Sequence, residues 1–217
     1  MMKRMTLLAK KEGFSTSDFR AYWAGPHARL ALGMEGISAY TQNRVDKRLW
    51  SLESQPCFDV DGIVELQFDD ELAMRAAQAS SVGRRHIPAD EPHFLRGWTL
   101  CLVEGAGSVD SPLDPPGLCA KVIVPLRLPC ASREPLAELL TQYALGGGLS
   151  CSVHWTSSTA RRELLWSEPS PPDGFIVLHF AHVAAAHDAF EPGPLCTLLA
   201  HYCTAATAYL VDALVIR

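Results

Sequence analysis

The segment Asp61-Gly-Ile-Val-Glu-Leu-Gln-Phe68 recurs 112 residues later as Asp173-Gly-Phe-Ile-Val-Leu-His-Phe180. At the same offset Gly36-Ile-Ser38 answers Gly148-Leu-Ser150, and Leu102-Val103 answers Leu214-Val215. A period of this length, about half of the 217 residues, predicts two units of like fold. The echo is selective. Tyr22-Trp23-Ala-Gly-Pro-His27 has no counterpart near 133–145, where neither Trp nor His occurs. The pattern therefore predicts one half that carries a site and one that serves as scaffold.

Each unit reads as β-α-β-β-α-β, the ferredoxin-like plan. In the first, a strand at about 5–11 precedes a helix capped by Ser15 or Thr16, with Asp18 favouring its positive dipole end. Phe19, Trp23, His27, Leu30 and Met34 form one stripe at helical spacing, and Pro26 should kink or divide the helix. Strands follow at 37–45 and 62–68, then a helix at 71–79 capped by Asp69-Asp70, an irregular stretch at 83–92, and a closing strand at 98–104. The second unit repeats the order: strand 121–128, helix 134–145, strands 149–157 and 175–180, helix 183–190, a helical stretch at 195–204 and strand 208–216.

The expected boundaries are a first domain at 1–105, a linker rich in Pro and Gly at 106–118, and a second domain at 119–217. Each sheet would be covered by helices on one face and bare on the other. Packing the two bare faces together within one chain predicts an α+β fold, a pseudo-dimeric α+β barrel that closes on itself. Its pocket would lie between a sheet and its helices or between the two sheets. Any further homodimer would use outer surfaces.

Charge narrows the partners. Cutting at residue 105 gives 13 basic against 14 acidic residues, then 6 against 10, so neither half offers a basic face to nucleic acid. No apolar run is long enough to span a membrane. The apolar stretch Met5–Ala9 is closed by two lysines, which predicts a first strand in a cytoplasmic protein rather than a signal peptide. Seven cysteines with no C-x-x-C pair predict free, mostly buried thiols. No cofactor signature appears, and His179-x-x-His182-x4-His187 matches no metal spacing.

His27 is the candidate general acid or base, because an imidazole on an apolar stripe can be tuned by burial and a nearby carboxylate. The competing structural role is a core histidine bonded to a backbone carbonyl. Tyr22 and Tyr40 are candidate donors to a developing oxyanion, or else buried tyrosines satisfied by backbone. Alternation in 62–68 puts Ile63, Glu65 and Gln67 on one face and Val64, Leu66 and Phe68 on the other, which should meet the helices. Glu65 would point between the sheets and needs a partner; His27, Lys10 and Arg44 are candidates. In the catalytic reading it orients His27; in the structural one it is an ion pair between the halves. Val177 replaces it in the second half.

Phe19-Arg-Ala-Tyr22-Trp23-Ala-Gly-Pro-His27-Ala, Tyr40-Thr-Gln-Asn43, Asp61-Gly-Ile-Val-Glu-Leu-Gln-Phe-Asp69 and Asp90-Glu91 with Phe94 resemble, in this order, motifs of the EthD family. The resemblance covers about residues 3–105, and the second half looks like the same fold with its site eroded. It implies a dimeric α+β barrel and a setting in degradation of ethers and other xenobiotics, often beside cytochrome P450 systems. Relatives include cofactor-free lactone isomerases and fungal polyketide decarboxylases or dehydratases. The expected site is thus His27, Tyr22 and Glu65 for catalysis, with Trp23, Tyr40, Asn43, Gln67 and Phe94 around a small-molecule ligand.

The function expected from this is cofactor-independent acid–base chemistry, of isomerase, lyase or decarboxylase type, on a small apolar carbonyl, lactone or aromatic compound. One alternative is a non-catalytic, ligand-binding accessory protein of a monooxygenase-linked pathway. The other is an interaction module with a vestigial pocket, in which the space between the sheets is filled and Glu65 is locked to a basic partner.

Overall fold

The computed structural model describes residues 1–109, 120–147 and 149–217. Strands β1 (Met2–Lys10), β2 (Ile37–Ser51), β3 (Gly62–Phe68), β4 (Leu95–Val109), β5 (Ala120–Arg127), β6 (Ser150–Arg161), β7 (Gly174–Phe180) and β8 (Ala205–Val215) form one closed barrel in the order β1-β3-β2-β8-β5-β7-β6-β4. Each half contributes four neighbouring antiparallel strands. The halves join edge to edge, β2 to β8 and β4 to β6, and this closure leaves no strand edge unpaired.

The expected order β-α-β-β-α-β is present in both halves, and the repeated octapeptides are the equivalent strands β3 and β7. Alternation along them is as expected. Ile63, Phe175 and Val177 point into the barrel with Met5, Leu7, Ile123 and Tyr209. Val64, Leu66 and Phe68 point out to the first half's helices, and Ile176, Leu178 and Phe180 to the second's. The molecule thus has three apolar layers, one inside the barrel and one beneath each helical cover.

The first cover begins with α1 (Thr16–Tyr22), whose N-cap Ser15 accepts a hydrogen bond from the Asp18 N–H. Pro26 has the expected effect in a specific form. It sits in a π-helical turn, Trp23–His27, that joins α1 to α2 (Ala28–Ala31). Phe19, Trp23, His27, Ala28, Ala31 and Met34 are buried. Gly36, at φ 84°, takes the left-handed conformation that turns the chain from this helix into β2. α3 (Glu71–Ala79) is capped by Asp70.

The stretch expected to be irregular is helical instead. A π-helical turn (Val82–His86), α4 (Ile87–Asp90) and a 3-10 turn (Glu91–His93) follow one another. Pro88 and Pro92 lie in the opening turns of α4 and the 3-10 turn, where a missing N–H costs nothing. In the second half, α5 (Arg133–Gly147), α6 (Val183–Phe190) and α7 (Pro194–Tyr202) form the cover.

The expected linker needs correction at its start. β4 continues through 106–109, with Gly107, Ser108 and Val109 paired to Val153, Ser152 and Cys151, because ladder pairing is made by backbone and tolerates a Gly-rich sequence. The rest of that linker, 110–119, and Gly148 of the repeat lie outside the described residues. The described cysteines are all free; Cys101, Cys151 and Cys203 are buried. Among the described residues no helix is long and apolar enough to cross a membrane.

Candidate functional site

A cavity of about 410 Å³ lies between the first half's sheet and its helices. Its floor comes from alternate residues of β1 (Arg4, Thr6, Leu8), with Val64 and Leu66 of β3 and Trp98 and Leu100 of β4. His27, Ala31 and Met34 form one wall, and the helical stretch Gly83–Glu91 forms another. Ala160, Arg161 and Arg162, at the end of β6, complete the lining. The second half therefore helps to shape a cavity whose histidine and glutamate belong to the first.

His27 is 8% exposed. Its Nδ1 lies 2.8 Å from Asp90 Oδ2. A carboxylate only accepts, so Nδ1 carries the proton and Nε2 is the basic nitrogen. The other carboxylate oxygen accepts the Tyr22 hydroxyl proton at 2.7 Å. These bonds, His27's first, hold the Asp90 carboxyl below its ordinary range against burial, which raises it. The bond to Asp90 in turn pushes the Tyr22 hydroxyl up to about 12. The Phe94 ring lies 4.8 Å from the imidazole and 5.2 Å from Tyr22, centre to centre, and fixes both rings from behind. This is the arrangement in which a carboxylate sets the tautomer of a histidine base.

Tyr40 is buried and lines the cavity. Its hydroxyl accepts from Gln42 Nε2 at 2.8 Å, and no described group accepts its own proton. Burial pushes it up to about 12, so it remains a neutral donor. Beside His27 and opposite β1, Glu91 is 3% exposed and gripped by Arg162, with Nε–Oε2 at 2.7 Å and Nη2–Oε1 at 3.4 Å. Burial pushes the Glu91 carboxyl up, and the charge of Arg162 draws it back. The Arg162 guanidinium also lies 4.6 Å from the Trp98 ring centre.

The structure divides the expected site residues. His27 and Tyr40 face the cavity. Tyr22 does not line it and gives its proton to Asp90. Trp23 and Phe94 are fully buried in the core behind His27, outside the lining.

Glu65 is not the partner of His27: β3 turns it to the opposite face of the sheet, into the barrel. There it meets Lys3 at 2.6 Å and Lys121 at 2.5 Å and accepts from Asn43 at 2.9 Å. Burial raises the Glu65 carboxyl, but the two lysines outweigh it and hold it well below the carboxylate range. Asn43 and Gln67 belong to that interior face as well. The expected alternatives, Lys10 and Arg44, pair with Asp61 and Asp212.

Sequence reasoning missed Asp90 as the partner of His27, although the Asp90-Glu91 motif had been noted. Helical periodicity in 82–93, interrupted by two prolines, was the signal that could have placed it. Arg4 and Arg162 had no local signal. Among the described residues no group of His, Cys, Asp and Glu is placed to hold a metal ion. His182 caps α6 and His187 lies 3.8 Å from Glu191.

Residues 11–97 match the family model of the EthD domain. The crystal structure of an anthrone oxidase-like protein shares the fold with a TM-score of 0.68 at 9% identity, over 99% of this chain and 93% of that one. A putative monooxygenase from Fusobacterium nucleatum subsp. nucleatum ATCC 25586 gives 0.60 at 10% identity, over 100% and 92%. One from Lactobacillus acidophilus NCFM gives 0.56 at 9% identity, over 99% and 94%. At these identities the likeness is one of fold. No curated protein matches. Residues 11–97, in the first half of the chain, are thus similar to the EthD domain, within an α+β barrel that the second half completes.

Proposed function

We propose that the protein is an EthD-like, cofactor-independent acid–base catalyst of a degradative pathway, acting in the cytoplasm on a small carbonyl, lactone or aromatic compound. The observation that carries this is the Tyr22–Asp90–His27 chain at the wall of a cavity. His27 Nε2 would take a proton from carbon next to a carbonyl, and the Tyr40 hydroxyl would donate to the oxygen where negative charge develops. Asp90 would stabilise the imidazolium formed in that step, and the same nitrogen would return the proton to a different atom. Such a cycle isomerises or cleaves without a redox partner. The degradative setting rests on the EthD match and on neighbours described as monooxygenases and an anthrone oxidase-like protein.

The second half is proposed to be a degenerate repeat. Shared element order supports this, as does the missing histidine: Leu139 stands 112 residues after His27. The ligand is a small molecule, with no nucleic-acid or membrane partner. The filled barrel interior and the locked Glu65 fit the interaction-module alternative, but the open cavity on the other face of the same sheet favours ligand binding.

Screening lactones, phenols, quinones and short ethers for turnover, with His27→Ala beside wild type, tests the reading. Loss of about 10²–10⁴ in kcat with binding retained is expected. Turnover left intact in His27→Ala would refute the mechanism. Tight binding without turnover, only mildly sensitive to His27, would make the protein an accessory binder.

A further inference from the structure

Arg4 is 8% exposed and lines the cavity, yet its guanidinium makes no hydrogen bond or ion pair with any described residue. Its Nε is buried without a partner. A buried cation left in this state is costly, because it gives up hydration without a hydrogen bond in return, and the charge of Glu91 offsets that only in part. The fold does not demand it. By strand register Arg4 faces Leu66, and the equivalent residue of β5, facing Leu178, is Val122, which is fully buried. A valine therefore suffices where the second half has no site.

The charges around the cavity leave a vacancy of one sign. Arg162 is matched by Glu91, and His27 is bonded to Asp90. Arg4 is the buried charge left over. Burial first, then the like charge of Arg162, lowers it to about 10, so it stays protonated at neutral pH. Its guanidinium lies 6.0 Å from the Phe68 ring centre, a contact that holds the fork without using its N–H groups. Apart from Thr6, the remaining floor is apolar: Leu8, Val64, Leu66, Trp98 and Leu100. Arg84 and Arg161 also line the cavity but are exposed, so Arg4 is the desolvated cation, and one planar carboxylate matches its one guanidinium fork.

We propose that the ligand of this cavity carries a carboxylate on an apolar, ring-sized body, and that Arg4 binds the carboxylate while the body lies on the leucine and tryptophan floor toward His27. This rests on the cavity of the proposed function and adds the substrate class. It fits a compound that reaches the protein as an acid, the product of a preceding oxidation or ring opening.

Isothermal titration of the full chain with benzoate, 4-hydroxyphenylacetate and 2-naphthoate, each against its methyl ester, tests the proposal without requiring turnover. Wild type is expected to bind at least one acid about ten- to hundredfold tighter than its ester. Arg4→Met should bring that acid down to the ester's affinity and leave the ester within about twofold, since methionine replaces the buried stem. Arg4→Lys should fall between. Equal binding of acid and ester by wild type, failure of all three acids to bind at millimolar concentration, or an acid preference that survives in Arg4→Met would each overturn it. The wild-type comparison stands even if a variant fails to fold. Selectivity lost with Arg4, in a protein where His27→Ala leaves turnover intact, would uphold this inference and sink the proposed mechanism.

Discussion

His27 illustrates how little a residue's identity says before its partners are known. On its stripe it is one more buried side chain; with Asp90 on Nδ1 it becomes an imidazole of defined tautomer. Tyr22 acts through Asp90, so Tyr22→Phe removes a hydrogen bond to a charged acceptor and should cost about 1–2 kcal/mol, read as a lower unfolding midpoint in urea. Because Asp90's folded value is depressed, the stability it contributes is present above the ordinary carboxylate range and is lost as pH falls through its folded value. In Tyr22→Phe, acid unfolding should therefore begin at higher pH. An unchanged acid limb would mean that the hydroxyl does not hold the carboxylate. The sequence offered Tyr22 and His27 as acting side by side; the geometry makes one the support of the other.

At the scale of elements, the π-helical turn and the glycine that opens β3 work together. A Cβ on Gly62 would lie 2.5 Å from Trp23 Cζ3 and 2.7 Å from Cη2, so the indole lies over the strand only because no side chain is there. Gly62→Ala should cost about 1–3 kcal/mol through overpacking. It should also weaken ligand binding, since displacing Trp23 displaces the turn that ends at His27. A variant as stable as wild type, with unaltered binding, would show that the turn is not held this way. Elements with clean periodicity or caps were legible in the chain: β3, α3 and α6 fall where the sequence puts them. The stretch 82–93 was not, because short turns of π, α and 3-10 type share no single period for a pattern to show.

The whole molecule is one hydrogen-bonded barrel, and its interior is where the halves meet. Lys3 of β1 and Lys121 of β5 occupy equivalent register positions, opposite Gln67 and His179, and both converge on Glu65. Glu65→Gln leaves two buried lysines without their anion and should destabilise the protein by about 3–5 kcal/mol, measured by denaturant titration. His154 sits on the same cluster, accepting from Lys3 Nζ at 3.2 Å. Burial first, then the lysine charge, lowers it from 6.5 to about 4. Between those values the unfolded chain binds a proton that the folded chain refuses. Stability should be complete above pH 6.5 and fall as pH drops toward 4, by at most about 1.4 kcal/mol per pH unit. His154→Gln should flatten that limb. Since β2–β8 and β4–β6 bind the halves as one sheet, calorimetry should record a single transition; two separate ones would mean that the halves fold independently.

What the sequence determined by itself was local and periodic. Alternation set the two faces of β3 and β7, capping residues set where α1 and α3 begin, and the repeated octapeptide set the duplicated order of elements. Those features depend on neighbours a few residues apart, so a single chain displays them. Which charged groups meet was decided only by the closed barrel. Sheet closure brings Lys121 to Glu65 and Arg162 to Glu91 across separations of 56 and 71 residues, and leaves Arg4 facing the cavity without an ion pair among the described residues. Glu65 points inward as alternation requires, and of its two expected roles the structure shows the ion pair between the halves, because alternation gives a side chain's face but not what lies across from it.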